Sequence, residues 1–204
     1  MITDETLFSL VKQERLARDR GDWATMAALY WPDSTVRVTW FTGTGEEFIE
    51  MSKARGRGDN GMHTINPVRC QRSGDRAVVE SPGQILIRPH IDGVEVDLTA
   101  WCRFIARLER RDGEWRLTLF DSIYVKDRVD PVDPAAHLVL DQARLAQARP
   151  SYRHLTYLNR QGGYTVPDDL PGVDRPDELD SYYEAHKQWV DAQPDTPGAA
   201  ISSR

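Results

Sequence analysis

The sequence predicts an α+β fold, with helices first and a curved antiparallel sheet after them. Residues 94–108 alternate over a long span: Val94, Val96, Leu98, Ala100, Cys102, Phe104, Ala106 and Leu108 are apolar, while Glu95, Asp97, Arg103 and Arg107 between them are charged. Period-two alternation of that length specifies a half-buried strand. The "RDGE" turn then carries Asp-Gly, and "WRLTLFDSIYV" resumes the alternation through Trp115, Leu117, Leu119, Ile123 and Val125, so the two runs form a hairpin. Asp121 interrupts the apolar side of that second strand. The first thirty residues hold no such alternation and instead space apolar residues by three and four.

In chain order, Asp4 can cap a helix that aligns Leu7, Leu10, Val11 and Ala17 and stops at Gly21. Asp22 caps a second, short helix with Trp23, Met26, Ala27 and Tyr30 on one side, ended by Pro32. "STVRVTWF" reads as a strand broken by Gly43 and Gly45, and "EEFIEMSKA" as a third helix. "HTINPVRC", the turn "SGDR" and "AVVESPGQILIRP" make two more strands, with Pro82 and Gly83 at a bend or bulge. A sheet that curls over helices encloses a pocket between them.

Composition shifts near "VDPVDPAA", and most of the acidic excess and of the prolines lie beyond Val129. The expected organisation is an α+β domain over 1–128, a helical and loop extension over 129–193 that packs on the domain or on a neighbouring subunit, and a disordered tail over 194–204. In the extension, Asp133 with Pro134 suits a helix start, Ser151 can cap "YRHLTYLNRQ" up to Gly162, and a last helix from about Pro176 presents Leu179, Tyr182, Tyr183, His186 and Val190 as a stripe.

The 204 residues are 40% hydrophobic and 28% charged, an ordinary globular composition. A net charge of −6 argues against a nucleic-acid partner, the basic stretch "SKARGRG" being short. No run is apolar enough to cross a membrane and the N-terminus lacks signal-peptide features, so a cytoplasmic protein is expected. Cys70 and Cys102 match no metal spacing and are expected to be free thiols. Neither a phosphate-binding glycine loop, a metal motif nor a nucleophilic serine elbow is present, which points to a site without a cofactor.

"RDRGDWATMAALYWPDSTVRVTWF", followed by "MHTINPV" and the long hairpin, resembles the SnoaL-like, scytalone-dehydratase-like branch of the nuclear transport factor 2-like superfamily over about residues 3–127. The resemblance rests on Asp19, Asp22 and Trp23 together with His63. It implies a cone-shaped barrel around a deep apolar pocket, assembled as a homo-dimer or homo-trimer. In dehydratase members an Asp at the end of the first helix pairs with a His across the pocket, and those positions fall on Asp19 and His63. Other positions depart. Arg18, Trp40 and Ser81 stand where scytalone dehydratase has two tyrosines and a second histidine, and Glu14 where the bile-acid 7α-dehydratase has its helix tyrosine.

The chemistry of such a pair is general acid–base catalysis. A carboxylate on one imidazole nitrogen sets the tautomer and leaves the other nitrogen as a base for a proton beside a carbonyl; the imidazolium can then protonate a departing hydroxide. Asp19 as a cap of the "RGDW" turn and His63 as a satisfied strand-start histidine are the competing structural roles. Arg18, Tyr30, Trp40, Asn66, Ser81 and Asp121 are the candidate substrate contacts. For each a plainer role is open: a surface ion pair for Arg18, core packing for the aromatics, a strand-end cap for Asn66. Three functions follow: a cofactor-independent dehydratase or isomerase acting on a small hydrophobic carbonyl compound, a non-catalytic binding protein using the same pocket, or a small structural subunit like those of ring-hydroxylating oxygenases.

Overall fold

The computed structural model describes residues 2–55 and 61–192. Residues 56–60 and the tail expected to be disordered lie outside the described residues.

Helix α1 (Asp4–Arg20) is capped by Thr3, one residue earlier than expected, whose side chain accepts from the Thr6 amide. It ends at Gly21, where φ is +68° and the chain reverses with the Asp22 amide donating to Ala17 O at 2.8 Å. Helix α2 (Trp23–Ala28) starts on the Asp22 cap, as the spacing implies, but stops before Tyr30. Strand β1 (Tyr30–Val38) takes both Tyr30 and Pro32, and a turn at Thr39–Trp40 separates it from β2 (Phe41–Thr44). Proline sits in β1 at a position with no ladder partner, which is where a strand tolerates it. Helix α3 (Gly45–Arg55) follows.

The predicted strand over 63–70 is two strands, β3 (Met62–Ile65) and β4 (Arg69–Ser73). Both pair with β5 (Arg76–Ile87), β4 along its first half and β3 along its second. Pro82 stands at the changeover, and its carbonyl accepts from the Asn66 amide at 3.0 Å. At Gly83 a Cβ would fall 2.1 Å from the Thr64 carbonyl oxygen and 2.8 Å from the Phe104 ring, so only glycine lets β3 approach. The short β6 (His90–Ile91) precedes β7 (Val94–Arg111) and β8 (Glu114–Pro131), the long hairpin, which turns at Asp112 and Gly113 with positive φ at both. The strand order is β2-β1-β8-β7-β5-β3, antiparallel except that β1 runs parallel to β8.

Two one-residue register shifts in the β7/β8 ladder decide which side chains face inward. Between the pairs Leu108–Leu117 and Arg107–Leu119 an extra residue, Thr118, enters β8. A one-residue slip exchanges the faces of everything beyond it. Leu117 and Phe120 therefore share the interior core, and Asp121, expected on the inward side, points the other way.

The extension is part of the same body. Strand β8 continues past residue 128, and Tyr152, Leu155, Val166 and Leu170 join the main core. The Asp133–Pro134 start yields only a turn, and a short helix α4 (Gln142–Ala146) follows on an Asp141 cap. Helix α5 (Arg153–Gln161) is not capped by Ser151, whose hydroxyl donates to Asp174 at 2.5 Å; the buried Asp127 carboxylate instead accepts from the His154 and Leu155 amides at 2.7 and 2.8 Å. Helix α6 (Pro176–Asp191) lies on the outer face of the sheet. Its Tyr183 accepts from Arg103 and donates to Glu80, both at 2.8 Å, and its His186 accepts from Arg107 at 3.0 Å. The stripe, expected to pack on the domain or on a neighbouring subunit, is turned onto this chain's own sheet. No helix among the described residues is long and apolar enough to cross a membrane. Both cysteines are free; burial pushes the Cys70 thiol up to about 11 and the Cys102 thiol higher.

Candidate active site

The end of α1, the start of β3, the inner faces of β7 and β8, and α5 enclose a cavity of about 80 Å³. Its apolar wall includes Trp23, Val38, Phe48, Ile85, Phe104 and Phe120. Asp19 arrives because α1 stops at Gly21, which leaves Asp19 in its last turn, and His63 because β3 is drawn against β5 at Gly83.

The two side chains meet although 44 residues separate them. His63 Nδ1 lies 2.7 Å from Asp19 Oδ1, and the His63 main-chain N–H donates to Asp19 Oδ2 at 2.7 Å. A carboxylate only accepts, so Nδ1 carries the proton and Nε2 keeps its lone pair. The Phe104 ring stands edge-on to the imidazole, with centroids 6.0 Å apart. Burial lowers the His63 pKa below the ordinary histidine value, the Asp19 hydrogen bond opposes this, and the charge of Arg15 adds to the lowering. Burial pushes the Asp19 carboxyl up, but the hydrogen bonds and charge of His63 outweigh it and the net direction is down. The resting pair is a neutral imidazole on a carboxylate.

Of the expected substrate contacts, Arg18 and Trp40 line this cavity, and Tyr30, Asn66, Ser81 and Asp121 do not. Tyr30 is buried in the core, its hydroxyl donating to Glu14 Oε1 at 2.8 Å. Asn66 is exposed at a strand end, and Ser81 is fully buried beside Phe104 in the sheet. Asp121 faces α6, because the Thr118 insertion turned it outward. It accepts from the Ser122 amide at 2.7 Å and the Tyr182 hydroxyl at 3.2 Å.

Burial pushes the Asp121 carboxyl up to about 6, against the lowering effects of the Ser122 amide and Arg37. A folded-state value above the unfolded one means that stability falls as pH rises from about 4 through about 6, then levels off. The Asp121→Asn variant does not titrate and keeps an acceptor for Ser122. It is expected to be more stable than wild type by about 1–3 kcal/mol at pH 8 and no more stable near pH 4; thermal melts at the two pH values check this.

Sequence reasoning missed several wall residues. Arg15 lies one turn before Asp19 on the same helix face, a spacing that identifies it. It is fully paired by the adjacent buried Glu14, and its guanidinium lies over the Phe120 ring at 4.0 Å. Arg55, Asn159, Ser122 and Tyr124 carried no local signal; the Tyr124 hydroxyl accepts from the Thr39 amide at 3.1 Å. Among the described residues no group of His, Cys, Asp and Glu side chains is arranged to hold a metal ion.

A helix-packed curved sheet around a cavity with a His–Asp pair at its wall defines the class of barrel expected from the resemblance. The SnoaL-like domain model matches residues 9–121, and the chain belongs to that family. A PEP2-like protein of Fusarium vanettenii is 31% identical over 187 residues, covering 86% of this chain and 80% of its own length. Pea pathogenicity protein 2 of the same fungus is 30% identical with the same coverage. Among solved structures, a scytalone dehydratase candidate from Novosphingobium aromaticivorans superposes with a TM-score of 0.52 at 14% identity, over 65% of this chain and 93% of that one, a likeness of fold alone.

Proposed function

We propose that the protein is an acid–base enzyme, a dehydratase or isomerase that removes a proton beside a carbonyl of a small, largely apolar compound, with His63 as base and Asp19 as the residue that positions and polarises it. The observation that carries the reading is the double grip of the Asp19 carboxylate on the His63 ring and main chain at the cavity wall. It leaves one imidazole nitrogen unprotonated and held in place.

In the reaction the C–H bond beside the carbonyl breaks, its electron pair forms the enolate, and the proton passes to Nε2. In an isomerisation the imidazolium returns that proton to a different carbon. In a dehydration it passes to a β-hydroxyl that leaves as water while the new double bond forms. Asp19 stabilises the imidazolium in both cases. The apolar wall lowers the local dielectric and strengthens that interaction.

The test is deuterium exchange in heavy water, followed by NMR across one- and two-ring β-hydroxy ketones and 1,3-dicarbonyl compounds, each with and without a ring carboxylate. Catalysed exchange at the α-carbon is expected for some members, with loss of water from those bearing a β-hydroxyl. Because the base must be neutral and its pKa lies below the ordinary histidine value, the rate should be level through neutral pH and fall only as pH drops below about 6.5. Ligand binding without exchange in any member, or an acid limb above that value, sinks the assignment.

A further inference from the structure

Among the described residues that line the cavity, cationic side chains are more numerous than carboxylates. Arg15, Arg18 and Arg55 contribute guanidinium groups, whereas Asp19 is the only carboxylate among the described lining residues, and His63 engages both its oxygens. Glu14 matches Arg15. Among the described residues Arg18 has no such partner: the nearest carboxylate oxygen there, on Asp19, is 4.0 Å away, beyond hydrogen-bond reach, and the Arg18 side chain is only 19% exposed.

Arg18 and Arg55 flank the same Trp40 ring, at 6.0 and 4.9 Å from its centroid. Arg55 Nη2 also reaches Asn159 Oδ1 at 3.5 Å, which leaves the Asn159 amide nitrogen, buried, with no hydrogen-bond partner. The Ser122 hydroxyl on the opposite strand wall is buried and unpartnered too. Buried donors without acceptors destabilise the empty site, and a ligand that brings acceptor oxygens removes that cost. Burial, with repulsion from Arg15, pulls the Arg18 pKa down to about 10, as expected of a buried cation awaiting a counter-charge.

We propose that the cavity's ligand carries an anionic oxygen group, bound by Arg18 and the Asn159 amide beside the Trp40 ring, so that the natural substrate bears a carboxylate in addition to its reacting carbonyl. This rests on the acid–base reading only for the word substrate; the charge preference is a binding property and is measured without turnover. A carboxylate there lies near His63 but on the donor-rich side, so the group that binds and the carbon that loses its proton are different parts of one molecule.

The experiment is calorimetric titration with one- and two-ring aromatic carboxylates, each against its primary amide, a near-isosteric neutral partner. At least one carboxylate is expected to bind about tenfold or more tighter than its amide, as one charge-assisted contact implies. Arg18→Met should abolish the preference and Arg18→Lys should keep most of it, while Lys53→Met, an exposed change on α3, should leave it unaltered. Circular dichroism melts confirm that each variant is folded. Equal binding of the amides, failure of every carboxylate to bind, or a preference that survives in Arg18→Met overturns the proposal. A carboxylate preference with no deuterium exchange rejects the acid–base reading and leaves this one standing; exchange confined to neutral compounds does the reverse.

Discussion

Replacing His63 with alanine is expected to reduce α-proton exchange by about 100-fold or more while leaving a folded protein. The ring contributes one hydrogen bond to Asp19 and an edge contact to Phe104, and neither ties β3 to the sheet. That pairing is the backbone ladder to β5 from Met62 to Ile65, which the variant retains. Asp19→Asn should also lower the rate steeply, for a different reason. Its amide nitrogen can donate to Nδ1, which moves the imidazole proton to Nε2 and removes the base. The variant also weakens the acceptor for the His63 main-chain N–H, so some loss of stability accompanies it. Exchange rates with thermal melts separate the two effects: a rate that tracks the melting temperature means the pair is only structural, and a rate lost at unchanged stability supports the chemistry.

Glu14→Ala is expected to be the more damaging change to the fold, at about 3–5 kcal/mol. Glu14 is fully buried and its side chain pairs with Arg15, itself 3% exposed, while accepting from the Tyr30 hydroxyl. Removing the carboxylate leaves a buried guanidinium without its counter-charge and a buried phenol without its acceptor. Burial pushes the Tyr30 hydroxyl well above its ordinary pKa, so the phenol is a poor substitute for the missing negative charge. Replacing the set together, as Glu14→Leu with Arg15→Met and Tyr30→Phe, should recover most of the loss, since an apolar cluster of similar volume needs no compensation. Denaturant melts of the single and triple variants check this. A single variant within about 1 kcal/mol of wild type contradicts the assignment of Glu14 as the counter-charge.

Much of this was legible locally. The β7/β8 hairpin, the Gly21 stop, the Asp22 cap and α6 all follow from spacing and from one or two special residues, because backbone sterics and side-chain direction repeat every two or 3.6 residues wherever they occur. Asp19 and His63 came from residue type plus a family pattern, and their contact needed the fold. Asp121 shows where local reasoning fails: alternation counted from Trp115 through Val125 puts it inside, and one inserted residue, Thr118, reverses the count. Nothing near Thr118 announces that insertion, since a bulge is a property of two paired strands. Asn159 was out of reach for a related reason, as it enters the cavity from an extension whose composition set it apart from the domain.

By itself, then, the sequence determined the class of fold, most element boundaries, and which two residue types form the candidate base. The tertiary structure decided that a carboxylate and an imidazole 44 positions apart share a hydrogen bond, that Tyr30 and Asp121 are spent on packing rather than on the cavity, and that arginines from α1 and α3 gather around Trp40. Local rules act over a few bonds and can be read from neighbours. Which distant side chains meet depends on sheet register and helix packing, and those are settled only when the whole chain has found its partners.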